Sequence, residues 1–357
     1  MMGKNLLKTE LIPLAAGLLI IAASIVASGL KGGDYEPGHL RCAIQMSSMD
    51  DTTGGLLTGY NYHLLESFAS ESGSTIDITL SRRGDSYVDS LKSGSIDLVA
   101  VPLADATVVD SVEMSIPVDG ISAWLLPRGS VKLKEALDKW IHSYHHSEGY
   151  KHTRTVFLKT YDPFRVARSG RKLSYISPYD SLVRRYADSL GWDWKLLSAV
   201  IYQESRFKID ARSHRGAIGL MQMMPFTAER WADGDVVNPE RSIKAGTMYL
   251  KSLQSRYFRV SDTPLERQKI TLAAYNAGEG RIRDVLNYAR ELGVHTGCWD
   301  SLARVIPLMS DPEAMAKTDT VKLGSFKGTE TVAYVDRVME LYGAFKTLYR
   351  EPENGSR

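Results

Sequence analysis

The chain has 357 residues, 43% of them hydrophobic, 24% charged and 9% aromatic, which excludes a single small module and a disordered or collagen-like chain. Its 44 basic and 42 acidic residues leave a formal net charge of +2, which excludes a global field that would recruit nucleic acid. Two cysteines, Cys42 and Cys298, can build neither a disulfide framework nor a cysteine metal site and are read as structural thiols.

Residues 11–30 (LIPLAAGLLIIAASIVASGL) run for twenty positions without a charge. As a helix they would span about 30 Å, the hydrocarbon thickness of a bilayer. Lys4 and Lys8 precede the run, so the positive-inside rule sends everything after Lys31 across the membrane. Two readings of residues 1–33 stay open. The length of the run favours a retained membrane anchor, one N-terminal transmembrane helix; the small residues Ala27, Ser28 and Gly29 would suit a cleaved signal segment. Cys42, in HLRCAI, lies too far along to mark a lipoprotein junction.

From Leu40 the pattern predicts a strand (LRCAIQM), a helix from about Asn61 to Ser70, an alternating strand (TIDITL) and a helix around Tyr87 to Leu91. Buried strands follow in SIDLVAVPL and GISAWLLP, then an amphipathic helix, VKLKEALDKWIHSY, with Leu133, Ala136, Leu137 and Trp140 on one stripe. Alternating strands and helices imply an α/β layer with some parallel sheet. Residues 38–150 therefore form a first domain. Arg82 and Arg83 read either as a carboxylate clamp or, the favoured reading, as a solvated loop before a helix.

Between Lys151 and Lys172 stand Lys151, Arg154, Lys159, Arg165, Arg168, Arg171 and Lys172 against one acid, Asp162. Residues 151–173 are read as a basic linker, which could rest on anionic lipid or an anionic wall polymer or serve simply as an exposed connector. Residues 174–350 then read as helical. Ser177 and Pro178 are expected to open a helix that runs through LVRRYADSL to a stop at Gly191. Asp193 caps the next, WKLLSAVIYQES, on which Leu197, Val200 and Ile201 form a stripe continued at i+7 by Glu204. Burial beside apolar groups disfavours a charged carboxylate and raises its pKa, as a general acid near neutral pH requires. The bland alternative pairs Glu204 with Arg206 or Arg212. Residues 351–357 (EPENGSR) read as a polar tail.

Four further segments accompany AVIYQESRF: AIGLMQMMPFTA at 217–228, NPERSIKAGTMYLKSL at 238–253, LAAYNAGEGRI at 272–282 and GTETVAYVDRV at 328–338. In order and spacing these resemble the lytic transglycosylases of the goose-lysozyme-like superfamily. The stretches GLLTGYNYHLLESFASESG and LKSGSIDLVAVPL resemble periplasmic solute-binding domains of the kind that carry amino acids. Together with the lead-in ISPYDSLVRRYA, they narrow the resemblance to the membrane-bound lytic murein transglycosylase F type. Asp210 stands where that family commonly has proline. About 110 residues are too few for two lobes that close on a ligand, so the first domain is expected to be a truncated lobe with a structural or regulatory role.

The resemblance implies an α+β multidomain protein: an all-α lysozyme-like catalytic domain preceded by a small α/β periplasmic-binding-protein-like lobe and one N-terminal transmembrane helix, facing the periplasm. It implies that Glu204 is the sole catalytic acid and base, and that Ser213, Gln222, Met224, Tyr275, Asn276 and Tyr334 line a glycan groove or orient Glu204. It implies peptidoglycan glycan strands as substrate, membrane contact through the N-terminal helix, no nucleic acid, and no metal or cofactor; partner cell-wall synthesis or division proteins are not legible. The residue types suit these roles. Gly216 and Gly219 permit close backbone approach to a ligand, amides can donate and accept toward acetamido groups, tyrosines carry an apolar body with a polar tip, and Met224 is an adaptable apolar contact. Asp210, the one nearby candidate for a second carboxylate, is expected at the surface or in a cap. A hydrolytic lysozyme or chitinase, a non-catalytic wall-binding protein and a solute sensor are the alternatives.

Overall fold

The computed structural model describes residues 36–46, 56–81, 85–106, 109–158 and 163–350. The apolar run at 11–30, the Arg82–Arg83 pair and the tail at 351–357 lie outside them. Among the described residues no helix is long and apolar enough to cross a membrane. The chain divides into two compact units, Met1–Asp51 with Tyr60–His152, and Thr52–Gly59 with Thr153–Arg357.

The first unit is built on a five-stranded sheet of β1 (His39–Gln45), β2 (Thr75–Ser81), β3 (Leu98–Pro102), β4 (Val112–Met114) and β5 (Ser122–Pro127), in the order β2-β1-β3-β5-β4. β1 runs parallel to β2 and β3, whereas β5 is antiparallel to both β3 and β4. The parallel pairs are crossed by helices α1 (Leu57–Ser72) and α2 (Tyr87–Lys92), the connection a parallel ladder needs. β4 is an addition to the sequence reading: three residues are too few to display a period of two. Both faces of the sheet are covered at β3 and β5, which is why these strands read as apolar runs, whereas the edge strand β2 alternates between exposed and half-buried residues. On one face Ala43, Val99, Val101, Ala123 and Leu125 cluster with Leu91 of α2.

Trp124 of β5, fully buried, stacks on Trp140 of α3 (Val131–His145), with ring centroids 6.1 Å apart, and Phe68 of α1 meets the same indole edge-on. The polar atoms of these rings are satisfied. Trp124 Nε1 donates to Asn61 Oδ1 at 2.9 Å, Asn61 Nδ2 donates to Ser122 Oγ at 2.9 Å, and Trp140 Nε1 donates to Glu71 Oε2 at 2.9 Å. Of the expected α3 stripe, Leu137 and Trp140 are buried while Leu133 and Ala136 are half-buried, and Ile141 joins the core. Cys42 lies in this core and both cysteines are free thiols. Burial and the neighbouring Asp97 charge push the Cys42 thiol up to about 12.

The stretch read as a basic linker contains helices α4 (Glu148–Leu158) and α5 (Pro163–Arg168), and its Lys151, Arg154, Arg168, Arg171 and Lys172 are exposed. The second unit continues with α6 (Asp180–Leu190), α7 (Trp194–Ser205), α8 (Pro225–Trp231), α9 (Pro239–Arg256), α10 (Pro264–Ala277), α11 (Glu279–Glu291), α12 (Trp299–Val305), α13 (Pro312–Ala316) and α14 (Gly328–Leu348). It is mostly helical, and its two ends meet: Leu173 donates its N–H to Leu348 O and accepts from Arg350 N, both at 2.9 Å.

α6 begins at Asp180, two residues beyond the expected Ser-Pro start. The Asp180 carboxylate reaches back to accept from the Ile176 and Ser177 amides at 2.8 Å, so the capping group lies inside the helix and Ser177 belongs to the turn before it. Gly191 ends α6 with φ 72°, and Asp193 caps α7 by accepting from Lys195 N at 2.9 Å, both as the pattern predicts. α7 differs from the expected single stripe. Leu196 to Ile201 are buried without a break because α6 and α14 pack against different sides of it. A helix apolar all round is a core element, and α7 is the one that carries Glu204.

Candidate active site

Glu204 sits in the last turn of α7, which ends at Ser205 just before Arg206 (φ 52°) and Phe207 (φ 64°), two successive residues in the left-handed region. Such a conformation in non-glycine residues is held only where the surroundings over-determine it. Here Phe207 is buried against Tyr202, at 5.5 Å between ring centroids. The backbone therefore turns sharply away just past Glu204 and leaves its carboxyl at the end of a rigid rod.

Glu204 keeps partial solvent exposure along one side, while its carboxyl is surrounded by protein. Burial raises its pKa from 4.5 to about 7, opposed by the Tyr334 hydroxyl, which donates to Glu204 Oε1 at 2.6 Å. Tyr334 comes from α14 and is buried. Burial and the Glu204 charge hold the hydroxyls of Tyr334 and Tyr275 far above the usual tyrosine range, so both remain O–H donors. Arg206 and Arg212 are exposed and neither figures among the influences on Glu204, so the pairing alternative is not what the structure contains.

The loop from Ala211 to Met223 is tied to itself and to α10, and the expected site residues divide into those that hold it and those that stand open. Ser213 is exposed. Its N–H donates to Ala217 O and its Oγ accepts from Ala217 N, each at 2.9 Å. Gln222 has φ 46°, and its Nε2 donates to Ala211 O and Gly219 O at 3.0 Å, so the amide donors expected to face a ligand tie the loop to itself. Tyr275 OH donates to Met221 O at 2.7 Å, which pins the loop to α10. Asn276 is exposed and its Oδ1 accepts from Thr331 Oγ1 at 3.0 Å. Met224 is 43% exposed at the start of α8.

Gly219 has φ 78°, and a Cβ there would lie 2.4 Å from Val236 O. The close approach that requires glycine is therefore to the protein's own backbone, correcting the expectation of an approach to ligand at this position. Gly216, at φ 86°, has open space around it and serves the turn that closes on Ser213. Asp210 is neither at the surface nor in a cap: it is half-buried and accepts from Thr58 Oγ1 at 2.6 Å. Among the described residues no second carboxylate acts on the charge of Glu204.

Sequence reasoning missed three contributors. Thr331, buried at 2% exposure, fixes Asn276; its position inside the GTETVAYV segment was the available signal. Tyr249 and Trp231 extend an aromatic row from Tyr275, with ring centroids 5.5 Å and then 6.1 Å apart. Among the described residues there is no group of three or more His, Cys, Asp or Glu that could hold a metal ion.

Residues 181–295 match the family model described as the transglycosylase SLT domain. A protein of Desulfosudis oleivorans named membrane-bound lytic murein transglycosylase F is 30% identical over 269 residues, 70% of this chain and 58% of that protein. One of the same name from Maricaulis maris is 41% identical over 183 residues, 50% of this chain and 39% of that protein. The chain spans about half the length of the curated relatives it matches. A solved structure titled as a complex of the 70-kDa soluble lytic transglycosylase with bulgecin A is 26% identical, covering 47% of this chain and 24% of that one at a TM-score of 0.36. The resemblance read from the motifs thus holds: the chain is similar to the membrane-bound lytic murein transglycosylase F proteins, and its mostly helical second unit carries an SLT-type domain.

Proposed function

We propose that this chain is a peptidoglycan lytic transglycosylase that cleaves the β-1,4 bond between N-acetylmuramic acid and N-acetylglucosamine and leaves 1,6-anhydromuramoyl ends. The observation that carries the reading is Glu204, a single carboxyl raised to about 7, with the Tyr334 hydroxyl bonded to it at 2.6 Å, in a stretch that matches the SLT domain. A glycosidase of the ordinary kind sets two carboxyl groups about 5–9.5 Å apart across the scissile bond. A transglycosylase needs one. Protonated Glu204 gives its proton to the glycosidic oxygen, and that bond breaks as positive charge grows at the anomeric carbon. Ionised Glu204 then takes the proton of the same sugar's 6-hydroxyl as its oxygen closes the anhydro ring. The nucleophile is already tethered to the electrophile, which supplies a large entropic advantage over water.

In this reading Tyr334 orients Glu204 and stabilises its ionised form between the two proton transfers. Ser213, Gln222 and Tyr275 hold the loop in place, Thr331 presents Asn276 to an acetamido group, and Met224 lies under a sugar ring. The names of the relatives support a membrane-bound protein that acts on murein; in this reading the segment at 1–33 is its anchor and the rest faces the periplasm. The α/β unit, read as one truncated lobe of a solute-binding type, is assigned a structural or regulatory role. The test is mass spectrometry of soluble products from purified peptidoglycan incubated with the protein and with Glu204→Gln. Anhydromuropeptides released by the wild type alone are expected. Water-derived reducing ends, or no Glu204-dependent product, would overturn the assignment.

A further inference from the structure

The six tryptophans are Trp124, Trp140, Trp192, Trp194, Trp231 and Trp299. All but Trp231 are buried, which is the expected fate of so large an apolar side chain. Trp231 ends α8 and keeps one part of its indole in solvent. It does not stand alone. Its ring centroid lies 6.1 Å from that of Tyr249 on α9, tilted by 39°, and Tyr249 lies 5.5 Å from Tyr275, tilted by 43°. Tyr249 and Tyr275 are also only partly covered. Tyr275 is the ring near Glu204, close enough for that charge to act on its hydroxyl.

The three rings therefore form a row that starts beside the acid and leads outward to α8, where Met224 and Phe226 are exposed as well, at 43% and 80%. Aromatic groups that merely fill a core close on one another until water is excluded. This row keeps solvent access at each member, a feature that leaves a face for a ligand. The C–H face of a pyranose is apolar and packs on an aromatic ring through dispersion and loss of exposed apolar surface, while its hydroxyls stay at the edge in water.

We propose that Trp231 and Tyr249 form an outer sugar-stacking platform that continues the glycan groove beyond Tyr275 and favours long glycan strands over short fragments. The inference rests on the proposed function for the identity of the ligand, and its first test is a binding measurement that needs no turnover. Peptide-free peptidoglycan glycan strands are titrated into the Glu204→Gln protein while tryptophan emission is followed. Because the other five indoles are buried, a change in emission reports on Trp231. We expect a saturable change that Trp231→Phe abolishes; isothermal titration calorimetry, which needs no indole, is expected to show binding weakened about tenfold by Trp231→Ala.

In the otherwise wild-type protein, Trp231→Ala is expected to raise KM on the same strands by about tenfold with kcat within about twofold, which places the loss in binding and not in Glu204 chemistry. Phe258→Ala, at another exposed aromatic (64%), is the control and leaves both unchanged. Trp231→Phe keeps a ring and guards against a folding defect; it is expected to retain most of the affinity that the alanine variant loses. Equal affinity of the Trp231 and Trp231→Ala proteins, or no binding to either, overturns the platform. Failure of the proposed chemistry appears instead in product analysis with binding intact.

Discussion

Replacing Glu204 by Gln tests the burial of this carboxyl without reference to any substrate. Raising the carboxyl pKa from 4.5 to about 7 means that the folded state binds its proton more tightly than the unfolded chain does. Stability tied to that proton is fully present below pH 4.5 and is lost as pH rises through about 7. At about 1.4 kcal/mol per pH unit the shift corresponds to about 3 kcal/mol, and the partial solvent access of Glu204 brings the expected cost of the ionised form to about 2–3 kcal/mol. The glutamine amide is nearly the same size, carries no charge at any pH and keeps an oxygen to accept from Tyr334. Urea unfolding of both proteins at intervals from pH 4 to 8.5 isolates the effect, since every other titrating group cancels in the difference. The variant should match the wild type near pH 4 and exceed it by about 2–3 kcal/mol above pH 8. A difference that stays flat across the range would refute the claim that burial governs this group.

Tyr334→Phe removes the donor that stabilises ionised Glu204, so its pKa rises further and the descending limb of kcat/KM moves to higher pH, while stability falls by about 1.5–3 kcal/mol at pH 8.5 and by less at pH 5. A pH-rate profile and unfolding at the two pH values check both statements. Gly219→Ala places a Cβ 2.4 Å from Val236 O at a φ of 78°, and thermal unfolding should show a loss of about 2 kcal/mol or more together with a displaced loop and lower activity. Leu197→Ala, deep in α7, should cost about 2–5 kcal/mol in denaturant unfolding. Cys42, buried with its thiol pushed up to about 12, should resist a disulfide reagent at pH 8 until the protein unfolds.

Some of the molecule is written in short-range signals. Asp193 announces the start of α7 and Gly191 the end of α6, because a cap and a left-handed stop depend on a few neighbouring backbone groups. TIDITL and VKLKEALDKWIHSY reveal a strand and a helix, because side-chain direction repeats with the local backbone period. Glu204 is legible for the same reason, as a carboxylate on an apolar helix inside a specific run of motifs. The start of α6 differs from the Ser-Pro signal because Asp180 caps backwards from within the helix, an arrangement that Ser177 and Pro178 imitate in one dimension.

What raises the Glu204 carboxyl to about 7 is decided elsewhere. Its pKa depends on how much protein surrounds it and on a hydroxyl 130 residues along the chain, and neither exists until α14 packs against α7. The same holds for Thr331 beside Asn276, for Gly219 against Val236 O, and for Gln222, whose donors turned inward to the loop. Sequence period marks which residues enter a core, but which strand lies next to which, and which side chain meets which, is set by packing between segments far apart in the chain. Burial and long-range contact are properties of the assembled fold, and only the tertiary structure decides them.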